Sequence, residues 1–155
     1  MVARIQNLYL FLAGLLAAGS MFFPFWSFSA GKIYFITDFA SFSTPGILYV
    51  TESCYAAGIF SPLTAILSLA SIFLFKNRVL QSKLILLGIL LFIGDLFSGL
   101  TAAHFLNQYF QSIGTAVTHK PEAGFFILLP EPVLFMMALK GVKKDEKIVN
   151  AYKRL

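Results

Sequence analysis

Four long apolar segments constrain this chain more than any other feature. They cover residues 8–28, 55–75, 84–106 and 123–139. A helix needs about 20 apolar residues to cross a bilayer, with a range of roughly 17–25, so the last segment is at the lower limit. Hydrophobic residues make up 58% of the chain and charged residues 12%, against about 25% charged in soluble domains. We therefore predict a single-domain, all-α membrane protein that forms a four-transmembrane-helix bundle.

The first segment has an alternative interpretation as a cleaved signal peptide. Arg4 precedes it, and small residues occur at positions 17–19. The apolar sequence nevertheless continues into MFFPFWSF, beyond the apolar core of a usual signal peptide. Trp26 then lies where an indole ring can meet lipid headgroups. We expect this segment to be retained as a membrane span.

The positions of the basic residues predict an orientation. Ten of the 12 Lys and Arg residues lie near the two chain ends or in the short link at 76–83, and the other two are Lys32 and Lys120. An excess of Lys and Arg in short loops marks the cytoplasmic side. We therefore expect a multi-pass protein of the cytoplasmic membrane with both termini in the cytoplasm.

Two regions outside the apolar segments have patterns of their own. Residues 32–53 contain two stretches of β-forming residues, 33–38 and 47–51, around the turn-forming sequence FSTPG, so we predict a small extracytoplasmic β-hairpin there. The tail at 140–155 has an apolar stripe beside several basic side chains. It could bind a partner or anionic lipid, or simply be a solvated helix end. The candidate binding residues are Lys143, Lys144, Lys147, Lys153 and Arg154.

The sequence contains none of the common soluble-enzyme motifs. CxxC, HExxH, Walker-type and GxGxxG patterns do not occur. The single cysteine, Cys54, excludes an internal disulfide and a cysteine-rich metal cluster. His104 and His119 are far apart in sequence with no third ligand nearby. We expect no enzymatic activity, no cofactor, no metal site and no binding of nucleic acid.

Two carboxylates interrupt the apolar segments. Asp95 lies in LFIGDLFSGL and Glu131 in FFILLPEPVLFMM. At the helical rise they lie roughly 16 Å and roughly 14 Å from the cytoplasmic surface, and so at similar depth. An ionised carboxylate in hydrocarbon is costly, so both should face the protein interior. The polar residues expected to accompany them are Ser98, Ser68 and Thr64.

Glu131 lies between Pro130 and Pro132, and two interpretations remain open. The prolines could begin a new helix whose first turn the carboxylate caps. Alternatively, a broken helix lined by carboxylates could bind protons or cations, as in transporters. Capping is the simpler interpretation, because the chain lacks the internal repeat common in transport folds.

Three stretches carry a resemblance to a known family. The opening RIQNLYLFLAGLL, the junction FLFKNRVLQSKL and the closing KGVKKDEKIVNAYKRL resemble a bacterial family of small, uncharacterised membrane proteins, described as a domain of unknown function with four predicted spans. The resemblance covers nearly the whole chain. It implies a location in the bacterial cytoplasmic membrane, and it implies no activity.

These observations lead to three functional hypotheses. The first is a non-enzymatic accessory, scaffold or assembly component that binds membrane lipids, a membrane protein partner or a second copy of the chain. The second is a small proton- or cation-coupled permease that uses Asp95 and Glu131. The third is a protein that binds an apolar ligand, such as a lipid or a quinone, between its helices.

Overall fold

The computed structural model describes residues 5–42 and 47–152. Within these ranges the protein is mostly helical and carries one small, three-stranded antiparallel sheet. In chain order its elements are α1 (Ile5–Ser20), β1 (Trp26–Ala30), β2 (Lys32–Ile36), α2 (Leu48–Phe73), α3 (Arg78–Ser112), β3 (Thr118–Pro121), α4 (Ala123–Leu128) and α5 (Glu131–Tyr152).

Among the described residues, three helical segments are long and apolar enough to cross a membrane. They are Leu48–Phe73, Arg78–Ser112 and Ala123–Val149, and the last of these joins α4 to α5. The helix α2 begins before the apolar segment predicted at 55–75 and ends two residues short of it, whereas α3 extends beyond the segment predicted at 84–106 at both ends.

The first helix is shorter than the predicted segment at 8–28. It ends at Ser20, and Trp26 already belongs to β1. Pro24 has no backbone N–H and disfavours helical geometry at the residue before it. The following residue, Phe25, instead donates its N–H to the carbonyl of Ile36 at 2.8 Å.

The sheet corrects the hairpin predicted at 32–53. The observed hairpin joins β1 and β2 through Gly31, whose φ of 71° suits glycine. The third strand of the sheet is β3, which comes from far along the chain, so the strand order is β2-β1-β3. The stretch at 47–51, predicted as a strand, leads into α2 and forms its first turn. A short apolar run fits either structure, and here the burial of Ile47, Val50 and Cys54 follows helical spacing.

The two ends of the helical bundle differ in composition. At one end Asp145 of α5 accepts a hydrogen bond from Gln6 of α1 at 3.2 Å and pairs with Arg78 of α3 at 3.8 Å. We call this the basic end, because Lys76, Lys83 and the lysines of α5 lie near these residues in sequence. Phe110 of α3, roughly 48 Å along that helix from Arg78, packs on the sheet through Phe28 and Tyr34. This second end is the sheet end.

The core consists of two apolar clusters. The cluster at the sheet end includes Phe28, Phe92 and Leu128, and the other cluster includes Leu10, Ile85 and Phe135. Along α4 and α5, Glu131 lies between Leu128 of the first cluster and Phe135 of the second. Glu131 therefore lies between the two apolar clusters along this part of the chain.

Candidate functional site

Asp95 projects from the middle of α3 toward α2. Its residue is 4% exposed, and its Oδ2 atom accepts a hydrogen bond from the Ser61 hydroxyl at 2.8 Å. Gly99 follows one turn later on the same buried face, and the Phe25 ring occupies the space that a side chain would take there. Asp95 is therefore held inside the bundle with one identified donor.

Glu131 is more deeply buried and has no such donor. It is the first residue of α5 and is 1% exposed. Neither of its carboxylate oxygens has a hydrogen-bond partner among the described residues. A new helix does begin beside the prolines, with Glu131 in its first turn as the capping interpretation predicted, but no backbone N–H among the described residues donates to this carboxylate. Buried polar atoms are usually satisfied, and Glu131 is a carboxylate of which both oxygens lack a partner among the described residues.

The structure brings Asp95 and Glu131 close enough to repel each other electrostatically when both are ionised. This proximity agrees with their similar predicted depth on antiparallel helices. Two adjacent carboxyl groups do not titrate independently, because a charge on one disfavours a charge on the other. Ionisation of one of these groups therefore makes ionisation of the other less favourable.

A third carboxylate, Asp38, joins this cluster from the loop after β2. Its residue is half-buried, its Oδ2 atom is buried without a partner among the described residues, and it interacts electrostatically with Asp95. Burial raises the pKa of Asp38, and a hydrogen bond with Ser61 offsets part of that increase. The sequence analysis placed this residue in an outer loop and assigned it no role.

The backbone beside Asp38 adopts an uncommon conformation. Phe39 has a φ of 58°, a region that residues other than glycine seldom enter. Its N–H donates to the Cys54 carbonyl at 3.2 Å. Its ring lies against Gly58, so closely that a Cβ on that glycine would be 2.7 Å away. These two contacts on α2 fix the loop that carries Asp38, and no local sequence signal predicts them.

The three predicted polar companions donate their hydroxyl hydrogen bonds to backbone carbonyls. The Ser98 hydroxyl donates to Gly94 O at 2.8 Å and Thr64 donates to Phe60 O at 2.9 Å, both within their own helices. Ser68 donates to Leu10 O at 2.6 Å and so ties α2 to α1. The residue that contacts a carboxylate is Ser61, one turn before Thr64. Helical spacing predicted the polar face of α2 but not which residue on it faces Asp95.

A small cavity connects two of the three carboxylates. The volume open to the centre of a water molecule is about 10 Å³, and Asp38, Ser61, Asp95 and Cys54 are among its lining residues. This is close to the smallest space that holds one water. Glu131 does not line the cavity, so the cavity reaches Asp95 from the sheet end and stops there.

The basic tail continues α5 beyond the bundle. The predicted residues Lys143, Lys144 and Lys147 are exposed. Lys153 and Arg154 lie outside the described residues, as does Arg4. Val142 is fully buried, so the first turns of this tail are packed against the bundle rather than free in solution.

The side chains of the described residues form no group of three or more His, Cys, Asp or Glu that could hold a metal ion. The three carboxylates are not such a group. Their surroundings are a single hydroxyl donor, Ser61, and apolar side chains.

Comparison with known proteins gave one match. A family described as "Domain of unknown function (DUF4293)" matches residues 2–155. A search of curated proteins and a search of solved structures each found no match. The match covers almost the whole chain, including all three carboxylates.

Proposed function

Because the chain belongs to the DUF4293 family, a domain of unknown function, we propose a function from its own residues: it is a four-span integral membrane protein that binds and releases protons at Asp95 and Glu131. The proposed location is the cytoplasmic membrane of a bacterium. The proton site would serve a small proton-coupled permease, in which protonation changes accompany the movement of a second solute or of the proton itself.

Helix length and surface composition support membrane insertion. Three segments of the described chain are long and apolar enough to span a bilayer. The 16 residues of α1 rise roughly 24 Å, which is close to the apolar thickness of a thin bilayer. Large apolar side chains such as Phe22, Phe73, Leu90 and Phe97 are exposed at the surface. Lipid is the solvent that suits them.

The distribution of charge supports an orientation. The contacts of Gln6, Arg78 and Asp145 bring the start of α1 and the later part of α5 to the basic end. Lys32 and Lys120 belong to the sheet. Positively charged short loops stay in the cytoplasm, so the proposal puts the basic end in the cytoplasm and the sheet outside.

The observation that carries the proton-binding proposal is the unpartnered carboxylate of Glu131. A buried charge without hydrogen bonds costs several kcal/mol or more within a bilayer. The protonated form avoids most of this cost. A structural role gives no reason to keep an acid there, because an apolar residue of similar size would be more stable. A proton site does give a reason, since release of the proton is the step that requires an acid.

Proton flux into vesicles tests this proposal. The purified protein is reconstituted into liposomes that contain a pH-sensitive dye, and a pH step is applied outside. We expect Glu131→Gln and Asp95→Asn to slow the protein-dependent flux by about a hundredfold, the order that a positioned proton-transfer group contributes. The control is Glu52→Gln, which removes an exposed acid of α2 and should leave the flux unchanged.

Infrared spectroscopy gives a readout that does not depend on flux. The carbonyl band of a protonated carboxylic acid should lose intensity as the pH rises, and part of that signal should be missing in Glu131→Gln. Wild-type flux and an unchanged carboxylic-acid signal in both Glu131→Gln and Asp95→Asn would contradict the proposal. Loss of flux with an unchanged infrared titration would assign the two acids a structural role.

A second candidate function is that of an accessory component that binds a membrane protein partner or anionic lipid. Its support is α5, which continues to Tyr152 with Lys143, Lys144 and Lys147 exposed beside the exposed apolar residues Ile148 and Val149. Lysines next to apolar side chains suit a membrane surface or a partner helix. Co-purification of one defined protein in mild detergent, lost when the three lysines are changed to Gln, would favour this function.

A further inference from the structure

We propose that protons enter and leave the carboxylate pair from the sheet end, and that Asp38 is the residue that carries them between the outer surface and Asp95. This inference rests on the proposed function and adds a third residue and a direction to it. It assigns a role to an acid that lies outside every apolar segment of the sequence.

Asp38 contacts both the surface and the interior. Its residue is half-buried, while its Oδ2 atom is buried and has no partner in the described part of the chain. On the interior side it faces the cavity that Ser61 and Asp95 also line. A carboxyl group in this position can exchange a proton with water on one side and with the cavity on the other.

Ser61 links the two carboxylates. Its hydroxyl donates to Asp95 Oδ2 at 2.8 Å and also lies 3.3 Å from the Ala57 carbonyl oxygen, and its interaction with Asp38 lowers the pKa of that carboxyl group. One hydroxyl cannot donate to two carboxylates at once. When the hydroxyl donates to Asp95, the Asp38 carboxyl group either holds a proton itself or accepts a hydrogen bond from a water molecule. The cavity has room for about one water, which completes a path of short hydrogen bonds.

Among the described residues, apolar side chains follow Glu131 along α5 toward the basic end. On α5 the buried residues after Glu131 are Phe135, Ala138 and Val142, and the Phe135 ring lies 3.1 Å from the position that a Cβ on Gly88 would occupy. On α2 the buried hydroxyl of Ser68 donates to the backbone carbonyl of Leu10, and that of Ser71 donates to Leu67. Those hydroxyls donate to the backbone, whereas on the sheet side Asp38, Ser61 and Asp95 line one cavity, so the proposal puts the entry on the sheet side.

The groups that face Asp38 agree with a proton carrier. Cys54 of α2 and Asp95 of α3 are the titratable groups that interact with it, and Glu131 of α5 interacts with Asp95. No Lys or Arg is among these neighbours. Burial raises the pKa of Asp38 above its ordinary value, and the interaction with Ser61 lowers it in part.

The loop conformation holds Asp38 in this position. The positive φ of Phe39 is costly locally, and the contact of its ring with Gly58 fixes it in place. Such strain persists where the surrounding structure requires it, and it concentrates at functional sites. Here it orients an acid over a water-sized cavity.

The experiment measures which side of the membrane controls the protonation of Glu131. The full-length protein is reconstituted in one orientation, with strong buffers of different pH inside and outside the vesicles. A membrane-permeant carbodiimide reacts with protonated buried carboxyl groups, and mass spectrometry gives the adduct yield at Glu131. We expect the yield to follow the pH on the sheet side and to be insensitive to the pH on the basic side.

Variants then test Asp38 itself. Asp38→Asn should lose the dependence on the sheet-side pH, whereas Asp38→Glu, which retains a carboxyl group, should keep it. Glu52→Gln is the matched control, because it removes an exposed acid on α2 near the same end. The thermal unfolding of each variant shows whether it is folded, and Asp38→Glu keeps the test valid if Asp38→Asn does not fold.

Two results would overturn the inference. The first is an adduct yield that follows the pH on the basic side. The second is an Asp38→Asn variant that follows the sheet-side pH as the wild type does. A yield that is independent of pH when both sides are changed together would contradict the proposed function instead, so the two failures are distinguishable.

Discussion

Asp38 and Glu131 differ from the other acids of this chain in that each has a buried oxygen without a hydrogen-bond partner among the described residues. By contrast, Asp145 accepts from Gln6 and Glu122 accepts from Ser27. Natural proteins keep unsatisfied buried polar atoms rare because each costs stability. The functional argument therefore depends on a small number of atoms whose surroundings are energetically unfavourable.

The first prediction concerns the stability of Asp38→Asn. Burial raises the pKa of Asp38, so the folded protein binds the proton more tightly than the unfolded chain does. The free energy of unfolding then falls as the pH rises from the ordinary pKa of an aspartic acid to the raised pKa of Asp38. This loss of stability remains at pH values above the raised pKa. We expect Asp38→Asn to melt at a higher temperature than wild type at pH 7.

Thermal unfolding in detergent across a pH series checks this prediction. The gain should disappear below the ordinary pKa of an aspartic acid, where the wild-type residue is protonated in both states. Glu52→Gln should show no comparable pH-dependent gain. A variant that is less stable than wild type at every pH would show that the carboxylate makes a net stabilising contact.

The second prediction concerns the contact between Phe39 and Gly58. A Cβ at position 58 would lie 2.7 Å from the Phe39 ring, so the ring must move and the loop that carries Asp38 moves with it. We expect Gly58→Ala to lower the free energy of unfolding by about 1–3 kcal/mol, as overpacking does. Gly19→Ala is the control, since nothing lies within 4 Å of that position. Chemical denaturation of both variants measures the difference, and equal stabilities would show that the contact is loose.

Among the elements, the sheet depends most on contacts between distant parts of the chain. Its central strand β1 pairs with β2 next to it and with β3, which follows α3. Ser27 of β1 donates to Glu122 Oε1 at 2.7 Å, and Lys120 pairs with the same oxygen at 3.3 Å. His119, which the sequence left without a partner, accepts a hydrogen bond from the Trp26 indole at 3.3 Å. These contacts close the sheet end of the bundle.

The third prediction concerns Glu122 and acid. The hydrogen bond from Ser27, and then that from Lys120, lowers the pKa of Glu122 below its ordinary value. Its stabilising contribution is therefore present above the ordinary Glu pKa and is lost as the pH falls through the lowered value. We expect Glu122→Gln to be less stable than wild type at pH 7, with a difference that shrinks on acidification.

Hydrogen exchange of the β1 and β3 amides, measured at pH 7 and in acid, checks where this effect acts. Faster exchange in Glu122→Gln at neutral pH should be confined to the sheet end, because α1 and α5 meet at the basic end. A uniform effect along the bundle would contradict a local role for Glu122.

Prediction of the elements succeeded for the helices and only in part for the sheet, where the stretch predicted at 33–38 overlaps β2. The apolar segments predicted α2, α3 and the helix that contains Glu131, because long helical periodicity is a local property. The hairpin was misplaced because its strands are short. The third strand of the sheet, β3, was missed because it lies more than 80 residues along the chain from the other two. Pairing between distant strands depends on tertiary packing, and no short stretch of sequence encodes it.

At the scale of the whole molecule, the difference between the basic end and the sheet end of the bundle supports a single orientation in the membrane. The fourth prediction tests it with an impermeant thiol reagent in sealed vesicles. On a Cys54→Ser background, Lys32→Cys and Lys143→Cys should be labelled from opposite sides of the membrane, because they lie at the sheet end and at the basic end. Labelling of both residues from one side would contradict the proposed span count.

The sequence by itself determined the helical class, the apolar segments and the presence of two acids at one depth. Each of these follows from the composition and spacing of residues along a single helix, which act locally. Tertiary structure alone decided that Ser61, and not Ser98 or Thr64, would meet Asp95, and that Asp38 would complete the cluster. Those outcomes depend on the rotation of each helix about its axis and on one strained loop, which are fixed only when side chains from several elements pack together.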